Sequence, residues 1–373
     1  MATPRSVDRS INVAIVGVGN CASSLVQGLD YYRNLDRTAG LLHPSVFGYK
    51  ISDIRIVAAF DVDERKVGFP LDKAIYADPN CTFAFQPALN HAGTTVLRGP
   101  TLDGWGRKYR SCSNESMATV VNVAEILRER DVDVVVSFLP VGSQLASEHY
   151  AEAALSAGAA FVNCIPVFLA SNEKWARRFR EAGVPIVGDD VKAQVGATIV
   201  HRVLARLFER RGATVEGTYQ VNVGGNMDFL NMTEPERVQT KLESKVDAVS
   251  AELPGLPRSK LHAGPGGHIP WLEDRKVAFI RLKGSTFGGA PIDVEVRLDC
   301  WDSPNSAGVV VDAVRCAVAA RKAGVGGPLI IPSAALMKRP PRQISDEVGL
   351  EMFDELVSLQ SWPSDDCHQE GEC

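Results

Sequence analysis

The sequence predicts an α/β protein built on a doubly wound parallel sheet, and three features predict it. A β-favouring run, Ile11 to Val16, ends in Gly17-Val18-Gly19-Asn20-Cys21-Ala22 and passes into an apolar helix-like stretch reaching Leu29. Short β-branched or apolar runs recur at 54–60, 132–138, 160–163 and 184–187, as in strands buried on both faces. Stretches of helical spacing separate the later ones, at 114–130, 144–158 and 171–182, the rhythm of right-handed β–α–β crossovers.

The whole chain narrows the function classes. Its 373 residues can hold two domains, and 45% hydrophobic with 23% charged residues is ordinary for a globular protein. A net charge of −5 argues against a nucleic-acid surface, so any anionic ligand must be held by local cations. No apolar run is long enough to cross a bilayer, and the opening MATPRSVDRS lacks a signal-peptide core, so a cytoplasmic protein is expected. The eight cysteines form no C-x-x-C pair and the histidines show no ligand spacing. They read mostly as small buried hydrophobes or free thiols, and no metal ligand is assigned.

Residues 1–10 read as a loose arm. The turn that follows has the spacing G-x-G-x-x-A. Gly17 permits the sharp bend, Gly19 lets a pyrophosphate approach the backbone, and Ala22 lets helix and strand pack closely. The helix N-terminus then offers free N–H donors and positive dipole. Cys21 fits here by its size. Asn34 to Gly48 is loop, and strand 54–60 ends at Asp61, where an acid binds the adenosine ribose. Asp61 lies further on than usual, a delay the loop explains. With no Arg immediately after it, NAD is favoured over NADP. A strand-end turn is the plainer reading of Asp61.

Thr82 to Arg110 gives little pattern beyond an ordered loop at 98–104. Strand 132–138 carries Ser137 and leads into Leu139-Pro140-Val141-Gly142-Ser143, over which a cofactor could lie. Strand 184–187 runs into Gly188-Asp189-Asp190-Val191-Lys192-Ala193-Gln194, at the sheet edge where open α/β sheets bind ligands. A helix follows, near 196–211.

From Ala213 the pattern changes. Thr214 to Val223 alternates as a strand and ends in a cluster, Asn222 to Asn231, that suits sugar hydroxyls or a simple polar turn. Pro235 to Ser250 reads as a helix with Lys241 and Lys245 on one face, around an anion or in solvent. Residues 253–270 read as a Pro/Gly-rich loop, and 276–282 and 292–301 as antiparallel strands. Lys276 opens an apolar strand, which suits partial burial or an exposed end. Asp302 precedes a helix at 307–323, as a cap or a site residue. Gly324 to Pro328 ends that helix, Lys338 sits before Pro340-Pro341, and a polar tail begins near 362.

These stretches together resemble the myo-inositol-1-phosphate synthases, in their short bacterial form. The resemblance covers roughly residues 11–345 and rests on VAIVGVGNCASSLVQG, AAFDVDERKVG, LPVGS, VPIVGDDVKAQVGAT, NVGGNMDFLNM, WLEDRK, WDSPNSAG and LMKRPP. It implies a Rossmann-type NAD domain, 1–199 plus 303–373, and an inserted α+β catalytic and tetramerisation domain, 200–302. It implies isomerising cyclisation of a hexose 6-phosphate with retained NAD: glucose 6-phosphate is oxidised at C5, enolised at C6, closed onto C1 and reduced. A homotetramer is expected, with no nucleic-acid or membrane partner.

Carried over by motif, the resemblance makes Asp190, Asp228, Lys241, Lys245, Lys276, Asp302 and Lys338 the catalytic set. Lys241 and Lys338 would move protons at the C5 oxygen, and Lys245 and Lys276 would face phosphate and oxyanions. Lys192, Ala193, Gln194, Asn222 and Asn226 would bind substrate. Gly17, Gly19, Asn20, Cys21, Ala22, Asp61, Ser137, Pro140 and Asp190 would serve the cofactor. Two departures stand out: Ala193, where relatives usually have Ser, and Gly264-Pro265-Gly266-Gly267, where they usually read G-P-S-D. Loop drift explains them, as does a divergent paralogue closing fructose 6-phosphate to a five-membered cyclitol phosphate. A simple NAD-dependent dehydrogenase and a non-catalytic NAD-binding regulator are the other classes.

Overall fold

The computed structural model describes residues 9–33, 38–87, 89 and 93–363. The polar tail beyond 363 and the first eight residues of the expected arm lie outside them. In chain order the elements are β1 (Ile11–Val16), α1 (Asn20–Arg33), β2 (Ser45–Val46), β3 (Tyr49–Lys50), β4 (Ile54–Asp61), α2 (Leu71–Ala74), β5 (Val96–Arg98) and α3 (Arg107–Arg110). Next come α4 (Val123–Glu129), β6 (Val134–Ser137), α5 (Gln144–Ala157), β7 (Ala160–Asn163), α6 (Glu173–Glu181), β8 (Pro185–Val187) and α7 (Ala197–Arg210). Then follow β9 (Thr214–Gly224), α8 (Met227–Asn231), α9 (Pro235–Ser250), β10 (Leu261–His268), β11 (Arg275–Ser285) and β12 (Pro291–Trp301). The chain closes with α10 (Asp302–Lys322), β13 (Gly327–Pro328), α11 (Ile330–Leu336) and α12 (Asp346–Ser358).

Seven strands form one parallel sheet in the order β13-β8-β7-β6-β1-β4-β5. This is the doubly wound arrangement of a Rossmann-type fold, with the order reversing at β1. Alternate residues of β1 face opposite cores. Ile11, Val13 and Ile15 pack with α1 and α10, while Ala14 and Val16 pack with residues of α4, α5 and α6. The crevice between the ends of β1 and β6 is the fold's natural ligand position.

The second sheet runs β10-β9-β11-β12, antiparallel across β9, β11 and β12 and parallel between β9 and β10. Ala197, Ala205 and Phe208 of α7 and Val249 of α9 cover one face over Ala263, Ala278, Ile280 and Leu282.

Two expectations need correction. Residues 261–268 are an edge strand within the stretch expected to be loop. An edge tolerates Pro265, and a Cβ at Gly264 or Gly266 would overlap Leu242 of α9 or Val221 of β9. The glycines therefore let β10 press against its neighbours. The helix expected at 114–130 covers only 123–129, because Asn122 caps it by accepting from Glu125 N.

The largest fully buried side chains include Arg315 of α10. It pairs with Asp312 and donates to the carbonyls of His43, Pro44 and Tyr49. His43 Nδ1 lies 2.5 Å from the other Asp312 oxygen. Replacing Arg315 by Ala would leave Asp312 buried opposite a half-buried histidine and three carbonyls unsatisfied. Arg315→Ala is predicted to lower unfolding free energy by about 3–5 kcal/mol in urea titration. A loss below about 1 kcal/mol would remove this network from the fold's main supports.

Candidate active site

The C-terminal ends of β1, β6, β7 and β8 open onto a cleft closed on its far side by β9, α8, α9 and the start of α10. On the first wall, Gly17 has φ +87°, and a Cβ there would lie 2.8 Å from the Phe138 carbonyl oxygen, so only glycine fits the bend. A Cβ on Gly19 would meet no protein atom within 4 Å, and Gly19 borders the cleft. The backbone is therefore bare where a pyrophosphate would approach, at the N-terminus of α1. Ala22 is buried in the core behind. Asn20 Oδ1 accepts from Cys81 N at 2.7 Å and Thr82 N at 3.1 Å, which clips the 80–82 segment over the turn. Asp61 accepts from Val18 N at 2.7 Å, Val62 N at 2.7 Å and Asp63 N at 3.0 Å. Gly17, Ala22 and Asp61 thus shape the turn from behind, while Gly19, Asn20, Cys21 and Pro140 line the cleft. Burial and nearby Asp274 push the Cys21 thiol up to about 12, which keeps it a small neutral group.

On the other wall the four predicted lysines converge with three aspartates. Asp190 follows β8 with a left-handed backbone (φ 61°). Its Oδ1 meets Lys241 Nζ at 3.3 Å and Lys338 Nζ at 3.0 Å, and its Oδ2 accepts from Ser244 Oγ at 2.8 Å. Lys241, Ser244 and Lys245 share one face of α9 by helical spacing. Lys338 is aimed by backbone pairing: its N–H donates to Asp190 O at 2.7 Å, and Arg339 and Asp189 exchange two more bonds. Lys276, at the start of β11, pairs with Asp302, the first residue of α10. Asp228, on the first turn of α8, borders the same cleft with Ala193, Asn222 and Asn226.

These charges divide the lysines into two kinds. Burial opposes the charged form of Lys241, but Asp190, Asp228 and Asp302 outweigh it and hold the ammonium well above its ordinary range. Asp302 does the same for Lys276. Burial depresses Lys338, with Asp190 only partly offsetting it against Lys241 and Lys276. Lys245 falls furthest, to about 7: it is buried, faces three other lysines, and has only Asp190 to oppose them. No hydrogen bond holds its ammonium among the described residues. Burial works against ionisation of Asp190 too, but Lys241 and Lys338 keep it a carboxylate.

Three expected site residues, and the departing stretch Gly264 to Gly267, are placed otherwise. Lys192 borders the cleft, but its three donors go to Ala334 O at 2.6 Å, Ala335 O at 3.1 Å and Asp346 at 2.8 Å, so its ammonium anchors α11 and α12. Gln194 faces a different hollow and donates to Gly40 O at 2.8 Å. Ser137 is wholly buried within β6. Gly264 to Gly267 run along β10 and are not among the cleft's lining residues. Asn226 is partly committed elsewhere: it caps α8 through Phe229 N and donates to Asp274 at 2.8 Å.

The curated inositol-3-phosphate synthase of Mycolicibacterium smegmatis is 53% identical over 356 residues, spanning 92% of this chain and 98% of that protein. That of Corynebacterium glutamicum is 51% identical over 357 residues, spanning 93% and 98%. The chain belongs to the myo-inositol-1-phosphate synthase family. The family's own profile, myo-inositol-1-phosphate synthase, matches residues 196–303, from the start of α7 to the start of α10. A myo-inositol-1-phosphate synthase-related protein from Thermotoga maritima, solved in the crystal, has the same fold, with a TM-score of 0.79 at 24% identity over 94% of this chain and 99% of that one. The chain is therefore an enzyme of the inositol-phosphate synthase type.

Sequence reading missed Ser244, Lys66 and Asp274. Ser244 was legible, since it lies between the two lysines on their own helical face. Asp274 is wholly buried beneath the cleft, where Asn226 and Ser303 donate to it, and burial with neighbouring Asp302 pushes it up to about 6.

The Lys245 environment yields a signed prediction. An anion bound beside it supplies the missing counter-charge and raises its pKa. At pH 8, where most Lys245 is neutral, binding of methyl phosphate should take up about one proton, and at pH 6 almost none. Calorimetry in buffers of different ionisation enthalpy measures this. The uptake should vanish in Lys245→Met, and an undiminished uptake in that variant would assign the proton elsewhere.

Proposed function

We propose that the protein isomerises glucose 6-phosphate to inositol phosphate within this cleft, using bound NAD. The observation that carries the reading is the convergence of Lys241, Lys245, Lys276 and Lys338 beside an open glycine turn. Gly19, Asn20, Cys21 and Pro140 would hold the dinucleotide, with Asp61 fixing the turn. When bound, the nicotinamide supplies a reversible acceptor for the C5 hydride, so no net NADH accrues.

The chain's own groups supply the rest. Lys338, depressed and 3.0 Å from Asp190, is suited to accept the C5 hydroxyl proton. Lys241, held as an ammonium, is suited to donate to that oxygen. The shared Asp190 thus keeps an acid and a base side by side with their pKa values apart. Lys276, fixed by Asp302, offers positive charge where an enolate and then the C1 alkoxide develop. Lys245 and the N-terminus of α7, whose Ala197 and Thr198 border the cleft, suit the phosphate dianion. Asn222 suits a sugar hydroxyl.

The same reading carries the division into an NAD domain of 1–199 plus 303–373 and a catalytic domain of 200–302. It also carries homotetramer assembly through the second sheet. A cytoplasmic location accords with the six free cysteines among the described residues.

The test is incubation of the purified protein and NAD with glucose 6-phosphate and fructose 6-phosphate separately, with products identified by NMR. A six-membered cyclitol phosphate from glucose 6-phosphate, without net NADH, is expected. A five-membered product from fructose 6-phosphate alone would assign the paralogue activity instead, and accumulating NADH a dehydrogenase. Lys276→Ala is predicted to lower kcat at least about 100-fold while NAD affinity is kept. Near-normal turnover would take Lys276 out of the reaction.

A further inference from the structure

We propose that Lys66 is the cation of the dinucleotide half of the cleft, donating from its ammonium to phosphate oxygens at the adenosine end. The inference rests on the NAD reading above. Six lysines border the same space as Gly19, and with the Lys192 ammonium committed to α11 and α12, Lys66, Lys241, Lys245, Lys276 and Lys338 remain. Four gather around Asp190 and Asp302. Lys66 does not pair with either carboxylate. It sits beside Pro79 and Asn80, the segment folded over the glycine turn.

Three observations make it a ligand-facing group. Lys66 is 5% exposed, so its charge has largely left water, and the nearby Asp63 carboxylate that it feels is shared with the chelating Arg65. Its Nζ donates to Asn80 Oδ1 at 3.0 Å, the one hydrogen-bond partner among the described residues, which leaves two of an ammonium's three donors for a ligand. Asn80 is itself fixed, with Nδ2 donating to Val18 O and Ile75 O, each at 3.0 Å. Lys66 is therefore tethered through one amide to the middle residue of the G-x-G turn. Its neighbour Arg65 does not compete for the ligand, because Nε and Nη2 chelate Asp63 at 3.0 and 2.7 Å.

A dinucleotide brings two negative charges on its pyrophosphate, and a 2′-phosphorylated one brings more. The helix N-terminus supplies only partial positive charge. A rigidly held ammonium at that end adds the full charge that α1 cannot.

Calorimetric titration of the wild-type protein, Lys66→Met and Lys66→Arg with NAD, NADP, ADP and adenosine tests this. Lys66→Met should weaken NAD and ADP about 10- to 100-fold and leave adenosine unchanged, with Lys66→Arg retaining most of the affinity. Salt should weaken NAD binding more steeply in the wild type than in Lys66→Met. A loss confined to NADP would assign the cation to a 2′-phosphate and still support the proposal. Wild-type affinity for all three phosphorylated ligands in Lys66→Met overturns it, as does an equal loss for adenosine. Failure of the wild-type protein to bind any dinucleotide overturns the cofactor reading itself, a distinguishable result.

Discussion

The site depends on one buried carboxylate with two ammonium partners. Asp190 stands at the end of the parallel sheet, yet the groups it holds come from elsewhere: Lys241 from α9, against the second sheet, and Lys338 from the strand-like segment after α11. Three parts of the chain far apart in sequence meet on its two oxygens. Burying any one of these charges alone would cost several kcal/mol, so the three must arrive together. Removing the carboxylate would leave mutually repelling lysines in a low-dielectric cleft. The lysine cluster is therefore as much a product of Asp190 as the sheet is of its apolar strands.

The same arrangement converts like residues into unlike ones. Lys241 and Lys338 touch the same oxygen, but Asp190, Asp228 and Asp302 together outweigh the burial of Lys241, whereas at Lys338 burial and the neighbouring Lys241 and Lys276 outweigh the pull of Asp190. One is held charged and the other is eased towards neutrality. Lys245, a turn along α9 from Lys241, makes no hydrogen bond to Asp190, and burial with three neighbouring lysines depresses it to about 7. Four lysines against Asp190, Asp228 and Asp302 leave an excess of positive charge in the cleft. That excess is at most one charge, which a phosphate dianion would more than neutralise.

Much of this was legible in the sequence where physics is local. The β1–turn–α1 unit follows from glycine spacing and apolar periodicity, and α9 from Pro235 at its start and a regular charged face. The convergence of Lys276, Asp302 and Lys338 was not local, and was reached only through resemblance to a family. Other features resisted because side-chain direction is set by distant partners. Lys192 and Gln194 flank Ala193, which lines the cleft, yet Lys192 turns to Asp346 and Gln194 to Gly40. Strand β10 was hidden because its glycines record the closeness of Leu242 and Val221, not a loop. Lys66 gave no signal at all, since nothing in DERKVG says which of two adjacent cations chelates Asp63 and which reaches Asn80.

Asp190 biases the protonation of both lysines, and the pH–rate profile of Asp190→Asn measures that most directly. Loss of the carboxylate lowers the pKa of Lys241, which the proposed reaction needs protonated, and of Lys338, which it needs free to accept a proton. Both limbs of the kcat profile should therefore move to lower pH, with a reduced maximum. A profile lowered in height but unmoved along the pH axis would contradict the account.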